Sequence, residues 1–272
     1  MKRTALFAAF VGAVSAAQAG GLVDFDGTET GLLTYTNPVY SVSSGSATDA
    51  LNVSANGSTV WGAGDSLWPM TRAAIGPNGI GMPFNISDDS VAAAAGNSIF
   101  TSDVLGFAGM AKTDGFMGIT DTENPNNTGP INVDFVFDIS GDTNIVVSVD
   151  IAAMGDFEAG LDFMDFSYSL DGGPLVPLFT SSVNEAINQS YTMDSGATPL
   201  IDDPMLINGV LLNDVFQTFS GPVAGTGSTL RIHISTMTDG AEGFGFDNLS
   251  VVPEPASLAL LALGGLALLR RR

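Results

Sequence analysis

The sequence predicts an exported all-β domain, built as a sandwich or a barrel of short antiparallel strands. Apolar and polar residues alternate in several short segments, and this period of two is typical of strands with one buried face. Gly, Asn, Asp, Ser and Pro recur between these segments and mark turns. Only residues 90–95 favour a helix, and no repeat period emerges, which argues against a propeller or a solenoid.

The clearest alternation runs from residue 131 to residue 151. Its first half places apolar residues two apart, at Ile131, Val133, Phe135, Phe137 and Ile139. After a turn at residues 140–144, its second half repeats the pattern at Ile145, Val147, Val149 and Ile151. Two such runs joined by a short turn containing Gly and Asp are typical of a β-hairpin, so we predict that these two strands pair with each other.

Later strands are predicted at residues 164–170, 176–179, 205–212, 216–219, 230–234 and 244–251. The turn Asp171-Gly172-Gly173-Pro174 ends the first of them. His233 is the only histidine of the chain, and it alternates with Ile232 and Ile234. We therefore predict that His233 lies on the polar face of its strand.

The amino-terminal residues have the pattern of a secretory signal peptide. Met1-Lys2-Arg3 is a positive n-region, residues 5–14 are apolar, and Ala17-Gln18-Ala19 is a small-residue cleavage site. We expect signal peptidase to cut after Ala19, which makes residues 1–19 the signal peptide. An uncleaved membrane anchor is the alternative, and it fits less well because the apolar run is short and the cleavage site follows it directly.

The carboxyl-terminal residues predict a short transmembrane helix at residues 256–269. This segment has no charge, and it spans about 21 Å as a helix, against roughly 30 Å of bilayer hydrocarbon. The basic residues behind it would stay in the cytoplasm and anchor the helix there: Arg270, Arg271 and Arg272. Pro253-Glu254-Pro255 precedes the helix, and its prolines favour an extended, hydrated segment outside the membrane.

This order of parts, over residues 251–272, resembles the sorting signal of the PEP-CTERM proteins of Gram-negative bacteria. The resemblance implies processing near Pro253, Glu254 and Pro255 by an exosortase-type transpeptidase. It also implies a precursor anchored in the inner membrane, and then a protein at the cell surface or in the extracellular matrix. Exosortases occur in bacteria that make extracellular polysaccharide, so a biofilm role and a polysaccharide partner are further expectations.

Charge separates the exported part from its targeting segments. Of the eight basic residues, only Arg72, Lys112 and Arg231 lie between residues 20 and 255, whereas all 29 acidic residues do, which leaves a net charge of −26 there. Such a surface repels nucleic acid, so we expect no nucleic-acid partner. The chain has no cysteine, which excludes disulfides, thiolate zinc sites and a cysteine nucleophile.

A second resemblance concerns the exported domain, residues 20–250. Residues 23–27 (Val-Asp-Phe-Asp-Gly), the strand and turn at residues 168–173, and residues 245–251 (Gly-Phe-Asp-Asn-Leu-Ser-Val) are similar to jelly-roll, galactose-binding-like modules. The resemblance implies that the first and last strands lie side by side. It also implies a structural calcium, held by an early acidic residue and an aspartate of the last strand.

Asp24, Asp26 and Asp247 are the residues that match this calcium site. We place Asp24 and Asp26 on one side of the first strand, two residues apart. Calcium takes about six to eight oxygen ligands, so backbone carbonyl groups would have to contribute. The alternative is that Asp24 and Asp26 are solvated carboxylates and that Asp247 belongs to a turn.

We predict no catalytic residue. Gly64-Asp65-Ser66-Leu67 matches the short nucleophile motif of a lipase and esterase family, but a serine nucleophile needs a base. In that family the base histidine follows an aspartate by three residues, and here Leu230 stands at that position before His233. Three aromatic residues are able to stack on sugar rings, or else fill the core: Trp61, Trp68 and Tyr35.

The sequence therefore predicts a non-catalytic exported protein, with carbohydrate binding as a further expectation. Two alternatives stay open. One is a secreted hydrolase of polysaccharide or lipid esters, and the other is a structural biofilm-matrix protein without a specific ligand. Calcium is the only cofactor that we expect.

Overall fold

Strands are the only regular elements of the computed structural model over the residues that it describes, 20–36, 66–71, 86–87, 98–100, 114–120, 122–123, 129–192, 198–238 and 242–254. In chain order they are β1 Gly21–Val23, β2 Leu32–Thr36, β3 Ser66–Thr71, β4 Ile86–Ser87, β5 Ser98–Phe100, β6 Gly115–Thr120, β7 Ile131–Asp138, β8 Ile145–Met154, β9 Phe163–Leu170, β10 Val176–Phe179, β11 Ser181–Val183, β12 Asn188–Ser190, β13 Leu200–Asp202, β14 Met205–Ile207, β15 Val210–Leu211, β16 Gln217–Pro222, β17 Thr229–Met237 and β18 Gly243–Pro253.

Two large antiparallel sheets form the sandwich. The six-stranded sheet has the order β16-β8-β18-β6-β3, with β1 also paired to β18, and the five-stranded sheet has the order β10-β9-β17-β7-β2. The chain passes repeatedly from one sheet to the other, since β7, β9 and β17 lie in one and β8, β16 and β18 in the other. Such crossing is typical of a jelly roll, and the predicted all-β sandwich is confirmed.

Phenylalanine side chains join the two sheets. Phe246 on β18 contacts Phe135 on β7 and Phe166 on β9, with ring centroids 6.1 and 5.6 Å apart, both edge to face. Phe25, just after β1, packs on Phe246 at 5.7 Å. All four rings are fully buried, and each contributes about 1.5–3 kcal/mol through its removal from water. This cluster is the centre of the core.

The alternation in β7 and β8 is observed, but the predicted hairpin is wrong. The inward residues of both strands are buried, as expected. However, β7 pairs with β17 and β2, whereas β8 pairs with β16 and β18 in the other sheet. The connection crosses between the sheets, with Gly141 and Asn144 at φ values of 90° and 52°. Alternation selects the buried face of a strand, and strands that face each other across a core satisfy it as well as strands that pair.

The segment predicted as one strand at residues 205–212 is instead a small hairpin. β14 and β15 pair with each other, and Asn208 and Gly209 between them have φ values of 48° and 77°. Two central residues with positive φ form the turn type that suits a two-residue hairpin loop, and Asn-Gly is its commonest sequence. The Asn-Gly dipeptide was the signal that divides this segment.

The first and last strands lie side by side, as predicted. Gly21 pairs with Val251 and Val23 with Leu249. A Cβ atom on Gly21 would lie 2.0 Å from the Phe137 ring, and one on Gly20 would lie 1.5 Å from the Val251 carbonyl oxygen. Only glycine permits such a close approach of the two strands to their neighbours.

The predicted targeting segments lie outside the described residues. This applies to the signal peptide at residues 1–19 and to the transmembrane helix at residues 256–269 with the arginines after it. Among the residues that are described, no helix is long and apolar enough to cross a membrane.

Candidate functional site

Two aspartates of neighbouring strands lie directly opposite each other on the six-stranded sheet. Asp247 of β18 is in register with Asp150 of β8. Their neighbours Phe246 and Ile151 face the core, so both carboxylates lie on the outward face. β18 has a bulge immediately after Asp247, where Asn248 adopts a φ of 50°. Like charges in this position repel each other, so the pair calls for a compensating positive charge.

Asp24 and Asp26 lie in the loop that follows β1, so our placement of them on the strand is wrong. They flank Phe25, which adopts a φ of 55° and places its ring in the core. A carboxylate oxygen of Asp26 accepts a 2.8 Å hydrogen bond from the Gly115 N–H, and Asp24 accepts a hydrogen bond from the Thr28 hydroxyl. A buried aromatic residue with positive φ is strained, and here it fixes the two acidic neighbours.

Asp247 is close enough to Asp150, Asp26 and Asp24 for their charges to act on it. Burial is the main cause that raises the pKa of Asp247 to about 7; the three charges contribute to the same shift, in that order, and the hydrogen bond from the Asn248 N–H opposes it. The structure thus brings together the three predicted residues, Asp24, Asp26 and Asp247, and adds Asp150. Sequence reasoning missed Asp150, although its alternation with Val149 and Ile151 already placed it on the outward face.

The carboxylate oxygens of this group are the kind of hard ligand that calcium prefers. The side-chain amide of Asn248 bridges the central pair, donating to Asp150 at 2.9 Å and to Asp247 at 3.2 Å. The other Asp150 oxygen accepts a 2.5 Å hydrogen bond from Thr218. These neutral donors soften the repulsion between the carboxylates but supply no positive charge.

A second acidic group has closer carboxylates and was not predicted. Ligand atoms of Glu158, Asp162 and Glu242 lie within 4.8 Å of one another. The Glu158 N–H donates a 2.6 Å hydrogen bond to a carboxylate oxygen of Asp162, which closes the turn before β9. Because this role in the turn accounts for Asp162, we assign the group no ligand.

A row of polar residues crosses the outward face of the five-stranded sheet. His233 of β17 lies between Asp134 of β7 and Ser167 of β9. Its Nδ1 atom is 2.7 Å from one carboxylate oxygen of Asp134, and the other oxygen of Asp134 lies 3.7 Å from the Arg231 guanidinium. His233 is therefore on the polar face, as predicted.

This row has the composition of a serine–histidine–aspartate triad but lacks a necessary contact. In the described structure His233 is bonded to Asp134, and no hydrogen bond joins Ser167 to His233. Without that bond the hydroxyl has no base to take its proton. The serine of the predicted esterase-like motif, Ser66, begins β3 in the other sheet. Among the described residues, this row therefore does not form a hydrogen-bonded triad.

Two buried polar atoms beside this row have no partner in the described structure. They are the Ser169 hydroxyl and the Arg231 Nε, and the two residues lie opposite each other on β9 and β17. Ser169 is only 1% exposed. Buried polar atoms normally have hydrogen-bond partners, so these two atoms are exceptions among the described residues.

Of the three aromatic residues that either stack on sugars or fill the core, the structure describes the side chain of Tyr35 alone. Tyr35 packs against Phe135 with ring centroids 4.9 Å apart, so this ring face belongs to the core. Trp61 and the side chain of Trp68 lie outside the described part of the chain.

Several solved structures share part of this fold at low identity. TmCBM61 in complex with β-1,4-galactotriose is 7% identical, with 54% of this chain and 74% of that chain covered and a TM-score of 0.30. The family 30 carbohydrate-binding module of a Clostridium thermocellum cellulosomal cellulase is 12% identical. The match covers 62% of this chain and 82% of that chain, with a TM-score of 0.26. The CBM22-1 xylan-binding domain from Paenibacillus barcinonensis is 10% identical. The match covers 70% of this chain and 96% of that chain, with a TM-score of 0.24.

Comparison with curated protein sequences gives no match. Comparison with family models gives one result, the PEP-CTERM protein-sorting motif, which matches residues 251–272. These residues begin in β18 and include the whole tripeptide Pro253-Glu254-Pro255. The chain therefore carries a PEP-CTERM sorting motif at its carboxyl end.

Proposed function

We propose that this chain is the precursor of a non-catalytic protein of the cell surface or extracellular matrix. Signal peptidase removes residues 1–19, and the helix at residues 256–269 then holds the precursor in the inner membrane. An exosortase-type transpeptidase cuts near Pro253-Glu254-Pro255 and delivers the β-sandwich outside, in a biofilm matrix. The observation that carries the proposal is the sorting motif at residues 251–272.

The limits of the folded domain agree with this proposal. The compact unit extends from Gly20 to Glu254, so it begins just after the expected cleavage at Ala19 and ends within the tripeptide. Both cuts therefore leave the folded unit whole. Because the domain has no cysteine and hence no disulfide, its stability has to come from its core, and processing must not remove any strand of the sandwich.

Mass spectrometry of the surface-released protein tests the sorting proposal. In cells with an active exosortase, the mature carboxyl end is expected to lie near Pro253-Glu254-Pro255, without residues 258–272. In matched cells that lack the enzyme, the chain should remain in the membrane fraction. A released protein that retains residues 258–272 would identify the segment as an ordinary tail anchor and contradict the proposal.

A structural calcium ion completes the proposed domain. Asp24, Asp26, Asp150 and Asp247 would hold it, and its charge would offset the repulsion that raises the pKa of Asp247. Its role is to join the loop after β1 to β8 and β18.

Glycan binding is a second proposed activity, located on the outward face of the five-stranded sheet. Asp134 and Ser167 offer acceptors, and Arg231 and Ser169 offer donors, two of them without partners in the described structure. Vicinal sugar hydroxyls match such a mixture of donors and acceptors. The strong negative charge of the domain favours a neutral polysaccharide over an acidic one.

A glycan array combined with activity assays separates this proposal from its rivals. Binding without turnover, weakened by Ser169→Val and Arg231→Gln but not by Val252→Ala on the other sheet, would support glycan binding. Release of reducing sugar or of ester product would support a hydrolase instead. If the protein showed no glycan binding and no turnover, a purely structural matrix protein would be the remaining alternative.

A further inference from the structure

The last strand of the sandwich runs into the sorting tripeptide. β18 ends at Pro253, which lies opposite Ile145 at the start of β8. The next N–H, that of Glu254, donates a 2.7 Å hydrogen bond to the carbonyl oxygen of Asn144. Two of the three residues of the tripeptide are therefore held in extended form by the folded domain.

The two edges of this strand end are not equivalent. The Glu254 N–H points to β8, and backbone groups alternate along a strand, so those of Pro253 point to the opposite edge. On that edge β1 pairs with β18 only as far as Gly21 opposite Val251. The same register would place Ala19 opposite Pro253, and Ala19 leaves with the signal peptide. In the part of the chain that is described, the edge beside Pro253 carries no strand.

Proline determines what this open edge offers. Pro253 has no N–H and presents only its carbonyl oxygen there, whereas Glu254 keeps the N–H that binds β8. Pro255 follows at the same spacing and also lacks an N–H. Such an edge resists pairing with the edge of another copy, which would need donors from it. It still accepts hydrogen bonds from a partner that supplies N–H groups. The Glu254 side chain is exposed beside it.

We propose that the folded domain presents Pro253-Glu254 as a one-sided edge strand, and that the sorting transpeptidase binds it there by strand addition. This inference rests on the proposed sorting function. A partner strand that donates N–H groups to the open edge binds more tightly when the segment is already extended. The entropy of ordering that segment has then been lost during folding and does not oppose binding. The folded domain is then part of the sorting signal, and the sorting enzyme selects precursors whose last strand is in place.

Insertion of three residues tests this presentation. Gly-Gly-Ser between Val252 and Pro253 separates the tripeptide from the sheet and keeps its spacing to the apolar segment. The matched control carries the same residues after Gly141, in the turn between β7 and β8, and preserves the pairing of β8 with β18. Both full-length chains are expressed in cells that contain the sorting enzyme. Pulse-chase labelling, with mass spectrometry of the products, measures the conversion of precursor to mature protein.

We expect the insertion before Pro253 to slow conversion about tenfold, since at least one residue must then be ordered on binding. The control should convert at the rate of the unchanged chain. Equal or faster conversion of the first variant would overturn the inference. Protease resistance checks the fold, and if the first variant loses it, the insertion is moved to follow Pro253. Failure of the unchanged chain to convert would contradict the sorting function itself.

Discussion

At the scale of single residues, Asp247 concentrates the electrostatic strain of the domain. It is 8% exposed, it faces Asp150 across the strands, and its pKa is raised to about 7 by burial and by three carboxylates. Ionisation of this group above neutral pH therefore opposes folding unless a cation is bound. With the proposed calcium ion bound, the same carboxylate would stabilise the domain.

This balance predicts how stability depends on pH. The folded-state pKa of Asp247 lies above its unfolded value of 3.8, so the contribution of this group to the stability of the metal-free domain is fully present below about pH 4 and is lost as pH rises through about 7. Between pH 5 and pH 8, Asp247→Asn should reduce the fall in the free energy of unfolding by on the order of 3 kcal/mol. Urea denaturation in EDTA at pH 5 and at pH 8 measures the difference.

A matched control comes from an aspartate whose pKa shifts the other way. The Ser140 N–H holds the pKa of Asp138 below 3.8, so Asp138 is ionised throughout that range of pH in both states. Asp138→Asn should leave the change in stability between pH 5 and pH 8 as it is in the unchanged chain. If Asp247→Asn also showed the same change in stability between pH 5 and pH 8 as the unchanged chain, Asp247 would not be the group responsible.

At the scale of elements, β18 connects the core, the proposed calcium site and the sorting tripeptide. It pairs with β8 on one edge and with β6 and β1 on the other. Phe246 faces the core, Asp247 faces outward, and Pro253 ends the strand. A change in this strand is therefore expected to affect stability, cation binding and processing together.

Truncation of Phe246 tests the contribution of β18 to the core. Phe246 is fully buried and contacts three other phenylalanine rings, so Phe246→Ala should lower the free energy of unfolding by about 3–5 kcal/mol. Val252→Ala on the same strand, at a position that is 40% exposed, should cost far less. Chemical denaturation of both variants decides, and similar losses would show that β18 does not organise the core.

The proposed calcium site predicts that calcium raises the melting temperature, because such a site would exist only in the folded state. At about 100 times Kd, binding linkage gives ~2.7 kcal/mol, or roughly 5–10 °C for a domain of this size. EDTA should reverse the shift, and Asp247→Ala should abolish the dependence on calcium. A melting temperature that is indifferent to chelator would leave Asp24, Asp26, Asp150 and Asp247 as surface charge without a metal.

At the scale of the whole molecule, two short basic segments flank one acidic domain. Residues 1–19 and 256–272 carry five of the eight basic residues, and the residues between them hold every acidic residue. The proposed membrane segment is short, so its terminal arginines have to reach the inner interface. Anchoring and processing should therefore respond in opposite ways to changes on the two sides of this segment.

Substitutions on each side of the segment test this expectation. Arg270, Arg271 and Arg272 changed to glutamate should weaken retention on the inner face, so that uncleaved precursor escapes. Pro253, Glu254 and Pro255 changed to alanine should let the helix extend and leave an anchored, unprocessed chain. Membrane fractionation with mass spectrometry of both fractions measures the outcome, and identical behaviour of the two variants would contradict the assignment.

Local patterns predicted most of the long strands, many of the buried residues and the sorting motif at the carboxyl end. Alternation with a period of two is a property of neighbouring residues, so it located β7, β9 and β17 and separated the buried from the outward residues of β7 and β17. It fails in β9, where the polar Ser169 is buried, and in β18, where the first five residues are all buried. The sorting motif is also local, because charge, apolar length and proline act within some twenty residues. Asp24, Asp26 and Asp247 were identified by resemblance, and their role as calcium ligands stays a prediction.

Only the tertiary structure decided which strands are neighbours. β7 and β8 follow each other in sequence yet lie in different sheets, while Asp150 meets Asn248, which is 98 residues away. The same packing placed Asp150 in the acidic group and held Glu254 against Asn144. Alternation determines which face of a strand is buried, but it does not determine which strand lies beside it. The partner strand and the register are selected by the packing of the whole core and by the connections that cross between the sheets.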